Sequence, residues 1–225
     1  MKILFQGDSI TDAFRKPEEI NPAYQLGNGY AFLVASHLGA TRPDQGWEFV
    51  NRGVSGHKIA DLAARWEADA LQIAPDLLSL LAGVNETLNF CKYIHADASL
   101  SVEDKARRDA EAFAQFQENY AWLLDSILER KPETKILLLE PFLLEVDVVT
   151  PYWREHLSRS RQAIARIAEE RGLPLVSLQK IFDDACRRAP AAYWAYDGIH
   201  PTHAGARLIA DAWLETAVRH QLLAP

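Results

Sequence analysis

Ser9, Asp197 and His200 are the side chains whose types and setting suit displacement chemistry at a carbonyl. Ser9 lies in Gly7-Asp8-Ser9-Ile10-Thr11, directly after the apolar run Lys2-Ile3-Leu4-Phe5-Gln6. A serine hydroxyl is a weak nucleophile until a neighbouring base takes its proton. An imidazole can do so near neutral pH, which makes His200 the candidate base. Asp197 stands three residues earlier in Asp197-Gly198-Ile199-His200, so one turn can present both side chains to the same cleft. A carboxylate on the far imidazole nitrogen would fix the tautomer and stabilise the imidazolium.

Attack on a carbonyl also needs donors for the oxyanion that develops. The N–H groups of Ser9 and Gly53 and the side-chain amide of Asn85 are the candidates. Gly53, in Arg52-Gly53-Val54-Ser55-Gly56, has no side chain to keep a substrate oxygen from its N–H. Asn85 lies in Gly83-Val84-Asn85-Glu86. Asp8 reads as a helix cap and Ser55 as a turn residue.

These residues are far apart in sequence, so the fold must gather them. Residues 2–6, 47–51, 77–82, 135–140 and 173–178 read as strands. The run Leu77-Leu78-Ser79-Leu80-Leu81-Ala82 is almost continuously apolar, as in a strand covered on both faces. Helical patterns run over 29–38, ended by Gly39, then 59–71, 103–130, 155–170 and 181–188, and from Pro201 to about His220. Proline suits a first helical turn. Trp66 falls on the apolar face of its helix. Segments 14–28, 87–100 and 142–153 read as long irregular connections. Strands alternating with helices predict a three-layer α/β/α, flavodoxin-like domain spanning 1–225 around a five-stranded parallel sheet. In such a sheet the turns after all strands share one edge, where ligands bind.

Composition narrows the partners. The chain has 225 residues and a net charge of −7, with no basic cluster, which argues against nucleic acid and anionic membranes as partners. No apolar run reaches the roughly 20 residues of a membrane span. The apolar start at Ile3 leaves no room for a signal peptide. Cys91 and Cys186 are too few for a disulfide framework and too far apart for a Cys-x-x-Cys site, and read as reduced thiols of a cytoplasmic protein. A metal reading of Asp197, His200 and His203 lacks a fourth ligand at suitable spacing. The expectation is a site without metal or cofactor. Monomer and homo-oligomer are both open.

The chain resembles the SGNH hydrolases, the GDSL esterase/lipase family, through four blocks in order. These are Gly7-Asp8-Ser9-Ile10-Thr11, Asn51-Arg52-Gly53-Val54-Ser55-Gly56, Gly83-Val84-Asn85-Glu86 and Asp197-Gly198-Ile199-His200-Pro201. The resemblance implies Ser9 as nucleophile, His200 as base and Asp197 as its partner. It implies Ser9, Gly53 and Asn85 as oxyanion donors. Glu86 departs from the aspartate usual in the third block. The Gly-x-Ser-x-Gly elbow of α/β-hydrolases is absent. Within the family the chain is similar to acetyl-xylan-esterase-like sugar O-acetyl esterases, through residues 7–12, Leu26-Gly27-Asn28-Gly29-Tyr30, and Lys58-Ile59-Ala60-Asp61-Leu62 leading to Arg65-Trp66-Glu67.

The resulting expectation is a serine ester hydrolase acting on short acyl groups, chiefly acetyl, carried by sugars. The alternatives are a lysophospholipase or thioesterase of the same family, or a non-catalytic carbohydrate-binding protein. Tyr24, Trp153, Trp194 and Tyr196 are candidate pocket residues, because aromatic faces suit sugars and acyl groups.

Overall fold

The computed structural model describes residues 1–223. Its centre is a five-stranded sheet in the order β2-β1-β3-β4-β5, with every pair parallel. The strands are β1 (Lys2–Gly7), β2 (Glu48–Asn51), β3 (Leu77–Leu81), β4 (Lys135–Leu139) and β5 (Leu175–Val176). The expected α/β architecture is therefore the observed one. The order reverses direction between β1 and β3, and that switch point is where open α/β sheets form their crevice. Register aligns the strand ends there: Phe5 faces Asn51, Gly7 faces Leu81, and Leu81 faces Leu139.

Alternate strand residues build two cores. Ile3, Phe5, Leu77, Leu81, Leu137 and Leu139 point to one face. They meet α3 (Tyr30–Thr41), α8 (Leu178–Ala185) and α10 (His203–Arg219) through residues such as Val34, Phe182 and Trp213. Leu4, Leu78, Leu80, Ile136 and Leu138 point to the other. There they pack on α4 (Ile59–Trp66), α6 (Val102–Arg130) and α7 (Pro151–Glu170), with Trp66 fully buried as expected. Both faces of β3 are covered, which is why its sequence does not alternate. Its one polar side chain, Ser79, accepts a hydrogen bond from Trp213 Nε1 at 2.9 Å.

Several boundaries differ from the sequence reading. α3 continues through Gly39 to Thr41, because Leu38 stays packed in the core and Gly39 faces open space. β5 shrinks to two residues: only Leu175 and Val176 pair with β4, and α8 begins at Leu178, before the expected 181. Pro201 does not open the last helix. It forms a bridge with Ala195, and Thr202 caps α10 by accepting the Gly205 N–H. α7 starts at Pro151, so Tyr152 and Trp153 are helical and not in a loop. The irregular segments also hold short helices, α2 (Pro22–Gln25) and α5 (Val84–Asn89), the latter extended by a wide turn to His95. A similar wide turn, Glu67–Leu71, ends α4. The remaining short elements are α1 (Ser9–Asp12), a 3-10 turn at Pro43–Gln45 and α9 (Ala191–Trp194).

Candidate active site

The end of β1 leaves no room for a side chain at position 7. A Cβ on Gly7 would lie 2.1 Å from the Leu81 carbonyl oxygen. The chain then turns at Asp8, whose carboxylate accepts the Ile10 N–H at 3.1 Å and caps α1. Ser9 is the first residue of that helix. Its Oγ lies 2.9 Å from His200 Nε2. His200 Nδ1 lies 2.7 Å from Asp197 Oδ2.

Asp197 is well anchored. Its other oxygen accepts the N–H groups of Ile199 at 2.9 Å and His200 at 2.7 Å. Partial burial pushes the carboxyl up, but the bonds from the His200 N–H, the His200 ring and the Ile199 N–H outweigh it and hold the group below the usual range. A carboxylate can only accept, so Nδ1 carries the ring proton and Nε2 is left to accept from the Ser9 hydroxyl. The turn is locked in place by Gly198 at φ +81, where a Cβ would stand 2.3 Å from the Leu144 oxygen. Leu144 in turn donates its N–H to the Gly198 carbonyl at 2.8 Å.

Asn85 enters from the third strand, in the first turn of α5 after Gly83 at φ +118. One of its amide protons goes to the His57 carbonyl at 3.0 Å. Next to it, Glu86 Oε1 accepts the Ile59 N–H at 2.7 Å. Together they hold segment 57–59 against α5. Burial pushes the Glu86 carboxyl up to about 7, and its Oε2 has no hydrogen-bond partner among the described residues. Burial raises Asp8 to about 7 as well, with the Glu86 charge adding to the effect against the bond from Ile10.

The second block is arranged differently from the sequence expectation. Gly53 donates its N–H to Asn51 Oδ1 at 2.8 Å, and a Cβ there would lie 2.3 Å from the Asp12 nitrogen. Its donor is therefore spent inside the fold, and its missing side chain makes room for α1, not for a substrate. The buried Asn51 amide fastens the surrounding loops, donating to the Thr11 and Leu26 carbonyls at 2.7 and 2.9 Å. The glycine that faces the cleft is Gly56, at φ +80, with open space where a Cβ would go. Its N–H, like that of Ser9, donates to no other group among the described residues. The signal was present as the second glycine of Gly53-Val54-Ser55-Gly56.

Ser9, Gly56, Asn85 and His200 open on one cavity of about 700 Å³. Ile10, Phe14, Tyr30, Leu88 and Ile209 supply its apolar wall, while Asn28, Ser55, Thr202 and His203 are polar. Of the four aromatics expected on the pocket, Tyr196 lines it, its ring stacked on His200 at 5.9 Å. The other three do not. Trp194 is buried in the core, with Nε1 on the Ala189 carbonyl. Trp153 packs on the cluster of Val84, Leu143, Val149, Leu157 and Ile199. Tyr24 sits on α2 with the Lys16 ammonium over its ring. Large apolar rings near a motif were free to turn inward, and these Trp side chains did. Among the described residues, no group of three or more His, Cys, Asp or Glu side chains is arranged to hold a metal ion. No described helix is long and apolar enough to cross a membrane.

Residues 5–208 match the model of the GDSL-like lipase/acylhydrolase family. The chain belongs to this family. It is thus a carboxylic ester hydrolase, and its relatives narrow the comparison further. An acetylxylan esterase from Geobacillus stearothermophilus is 34% identical over 220 residues, covering 95% of this chain and 92% of that one. The crystal structure of an acetylxylan esterase from the same organism superposes with a TM-score of 0.75 at 32% identity, over 96% of this chain and 93% of that one. A GDSL-like lipase from Parabacteroides merdae superposes with a TM-score of 0.83 at 33% identity, over 96% and 95% of the two chains. The family match over residues 5–208 spans all four blocks.

Proposed function

We propose that this GDSL hydrolase removes acetyl groups from sugars or short oligosaccharides through an acyl-serine intermediate. The observation that carries the mechanism is the hydrogen-bonded relay Ser9–His200–Asp197, at 2.9 and 2.7 Å, opening on a large cavity. Ser9 Oγ attacks the ester carbonyl carbon while His200 Nε2 takes its proton. The carbonyl oxygen becomes an oxyanion held by the N–H groups of Ser9 and Gly56 and by the free Asn85 amide proton. Gly56 replaces Gly53 in this role, since Gly53 already donates to Asn51. As the tetrahedral intermediate collapses, the C–O bond breaks and the imidazolium protonates the departing alcohol. Water then attacks the acetyl-serine, with His200 again as base, and acetate leaves. Asp197 keeps Nδ1 protonated and stabilises the imidazolium throughout.

The acetyl-sugar assignment is supported by the acetylxylan esterase relative and its structures. Two of the similar structures are catalytic mutants of that esterase, one with serine and one with histidine replaced by alanine. Serine and histidine are two of the three residue types in the relay here. The test is acetate release from a panel of acetylated xylosides and glucosides. Turnover of at least one sugar ester well above that of ethyl acetate supports the assignment; none above it removes the assignment.

A second reading, a longer-chain lysophospholipase or thioesterase, draws support from the cavity itself. Its volume exceeds what an acetyl group needs, and Ile10, Leu88 and Ile209 would suit an alkyl chain. A series of acyl chain lengths separates the two. Faster cleavage of octanoyl than acetyl esters favours the second.

A further inference from the structure

Ala13 and Phe14 are consecutive non-glycine residues in the left-handed region, at φ +45 and +60. A bulky side chain in that region is an outlier, kept only where the surroundings over-determine it. Here they do. Before the pair, Asp12 Oδ2 accepts the Ser55 hydroxyl at 2.5 Å and the Ser55 N–H at 3.2 Å. After it, Arg15 Nε donates to the Gly53 carbonyl at 2.6 Å. Between them, the Ala13 carbonyl accepts the Asn28 N–H at 2.9 Å. Gly27 crowds the same oxygen, and a Cβ there would stand 2.5 Å from it.

All this structure sets up a ring that the fold itself does not bury. Phe14 is 84% exposed, yet it lines the cavity onto which Ser9 and His200 open. Tyr196, also exposed, lies on the same cavity with one face on His200. On the same cavity, Asn28 and His203 offer side-chain donors and acceptors, while the Ser55 and Thr202 hydroxyls already donate to Asp12 and to the Tyr193 carbonyl. A flat apolar face beside a polar wall complements a pyranose, which has a C–H face and a hydroxyl rim. An acyl chain has no such rim.

We propose that Phe14 determines specificity for the alcohol part of the substrate, packing its ring on the C–H face of the pyranose that carries the ester. This rests on the acetyl-sugar reading above. It adds a residue that none of the four sequence blocks contains.

The experiment compares kcat and KM on an acetylated methyl xyloside and on ethyl acetate, which has no ring to stack. Phe14→Ala is expected to raise KM for the xyloside roughly tenfold, with a loss on ethyl acetate of about twofold at most. Phe14→Trp, which keeps an aromatic face, is expected to restore the xyloside KM. Phe14→Gly suits the positive φ, and should raise Tm by roughly 1–3 °C while keeping the KM defect of the alanine variant. A xyloside KM unchanged in Phe14→Ala overturns the proposal and leaves the acetyl-sugar reading standing. Wild-type turnover of ethyl acetate with none of the xyloside sinks that reading, and the proposal with it. Equal losses on both esters, with a change in oligomeric state by sedimentation, would show that the ring packs on a second copy of the chain and overturn the proposal too.

Discussion

The Asn85 side-chain amide donates one proton to the His57 carbonyl at 3.0 Å, leaving the other on the side of the cavity shared with Ser9. The contact prevents the amide from rotating and aims its free proton. Asn85→Ala should therefore lower kcat by about 10²–10³ with a smaller change in KM. Steady-state kinetics on p-nitrophenyl acetate, with circular dichroism to check the fold, measures this. A variant with wild-type kcat would remove Asn85 from the oxyanion site.

The two glycines of the second block should fail in different ways. Gly53→Ala forces a Cβ to 2.3 Å from the Asp12 nitrogen, in a place where no flexible atom can yield. Its main effect should be on stability, a loss above roughly 2 kcal/mol in urea unfolding. Gly56→Ala meets open space but pays for a positive φ, at about 1 kcal/mol. Its larger effect should be on kcat, because the added methyl crowds the donor. If Gly53→Ala loses kcat at unchanged stability, the two roles are the reverse of those argued above.

Glu86 makes a pH prediction. A buried carboxyl raised from 4.5 to about 7 binds its proton more tightly in the folded state. Between about pH 4.5 and 7 the folded chain thus holds more protons than the unfolded one. Stability from this group is full below that window and is lost as pH rises through the folded pKa, by roughly 3 kcal/mol at most. His57 and His156, both held down chiefly by burial, tilt the other way as pH rises toward 6.5. The reading is a difference: Glu86→Gln should destabilise least at high pH relative to wild type, as its amide carries no charge and no longer adds to the raised pKa of Asp8. Urea midpoints for both proteins from pH 4.5 to 8 test this. Parallel curves would mean that Glu86 does not titrate in this range.

Asp197→Asn keeps an oxygen for the Ile199 and His200 N–H groups but places an amide against His200 Nδ1. The ring should then adopt the wrong tautomer, with Nε2 protonated and unable to accept from Ser9. The expected loss in kcat is about 10⁴, with little change in Tm. A loss below tenfold would mean that Asp197 is not the orienting carboxylate.

Much of this site is legible in the sequence. The strand ends carrying Ser9 and Asn85 stood out because strands buried on both faces write apolar runs that stop at glycine, and the second block stood out as a glycine-rich turn after a short alternating strand. Asp197 and His200 were legible because their side chains have few other reasons to share a turn. What escaped depends on tertiary neighbours. Whether Gly53 or Gly56 faces the cleft is decided by the Asn51 side chain, which claims the Gly53 N–H. Trp194 and Trp153 are apolar enough to serve either core or pocket, and packing chose the core. β5 is short because a single neighbour, β4, sets how much of it pairs. The left-handed turn at Ala13 and Phe14 has no local signature, since its ties reach from Asn28, Gly53 and Ser55.

In the proposed mechanism Ser9 carries the acyl group. The most direct measurement is p-nitrophenyl acetate hydrolysis by wild type and Ser9→Ala at equal concentration, each checked for native fold. Ser9→Ala is expected to lose at least about 10³ in kcat and to show no burst of nitrophenol. Turnover by Ser9→Ala within tenfold of wild type would contradict that mechanism.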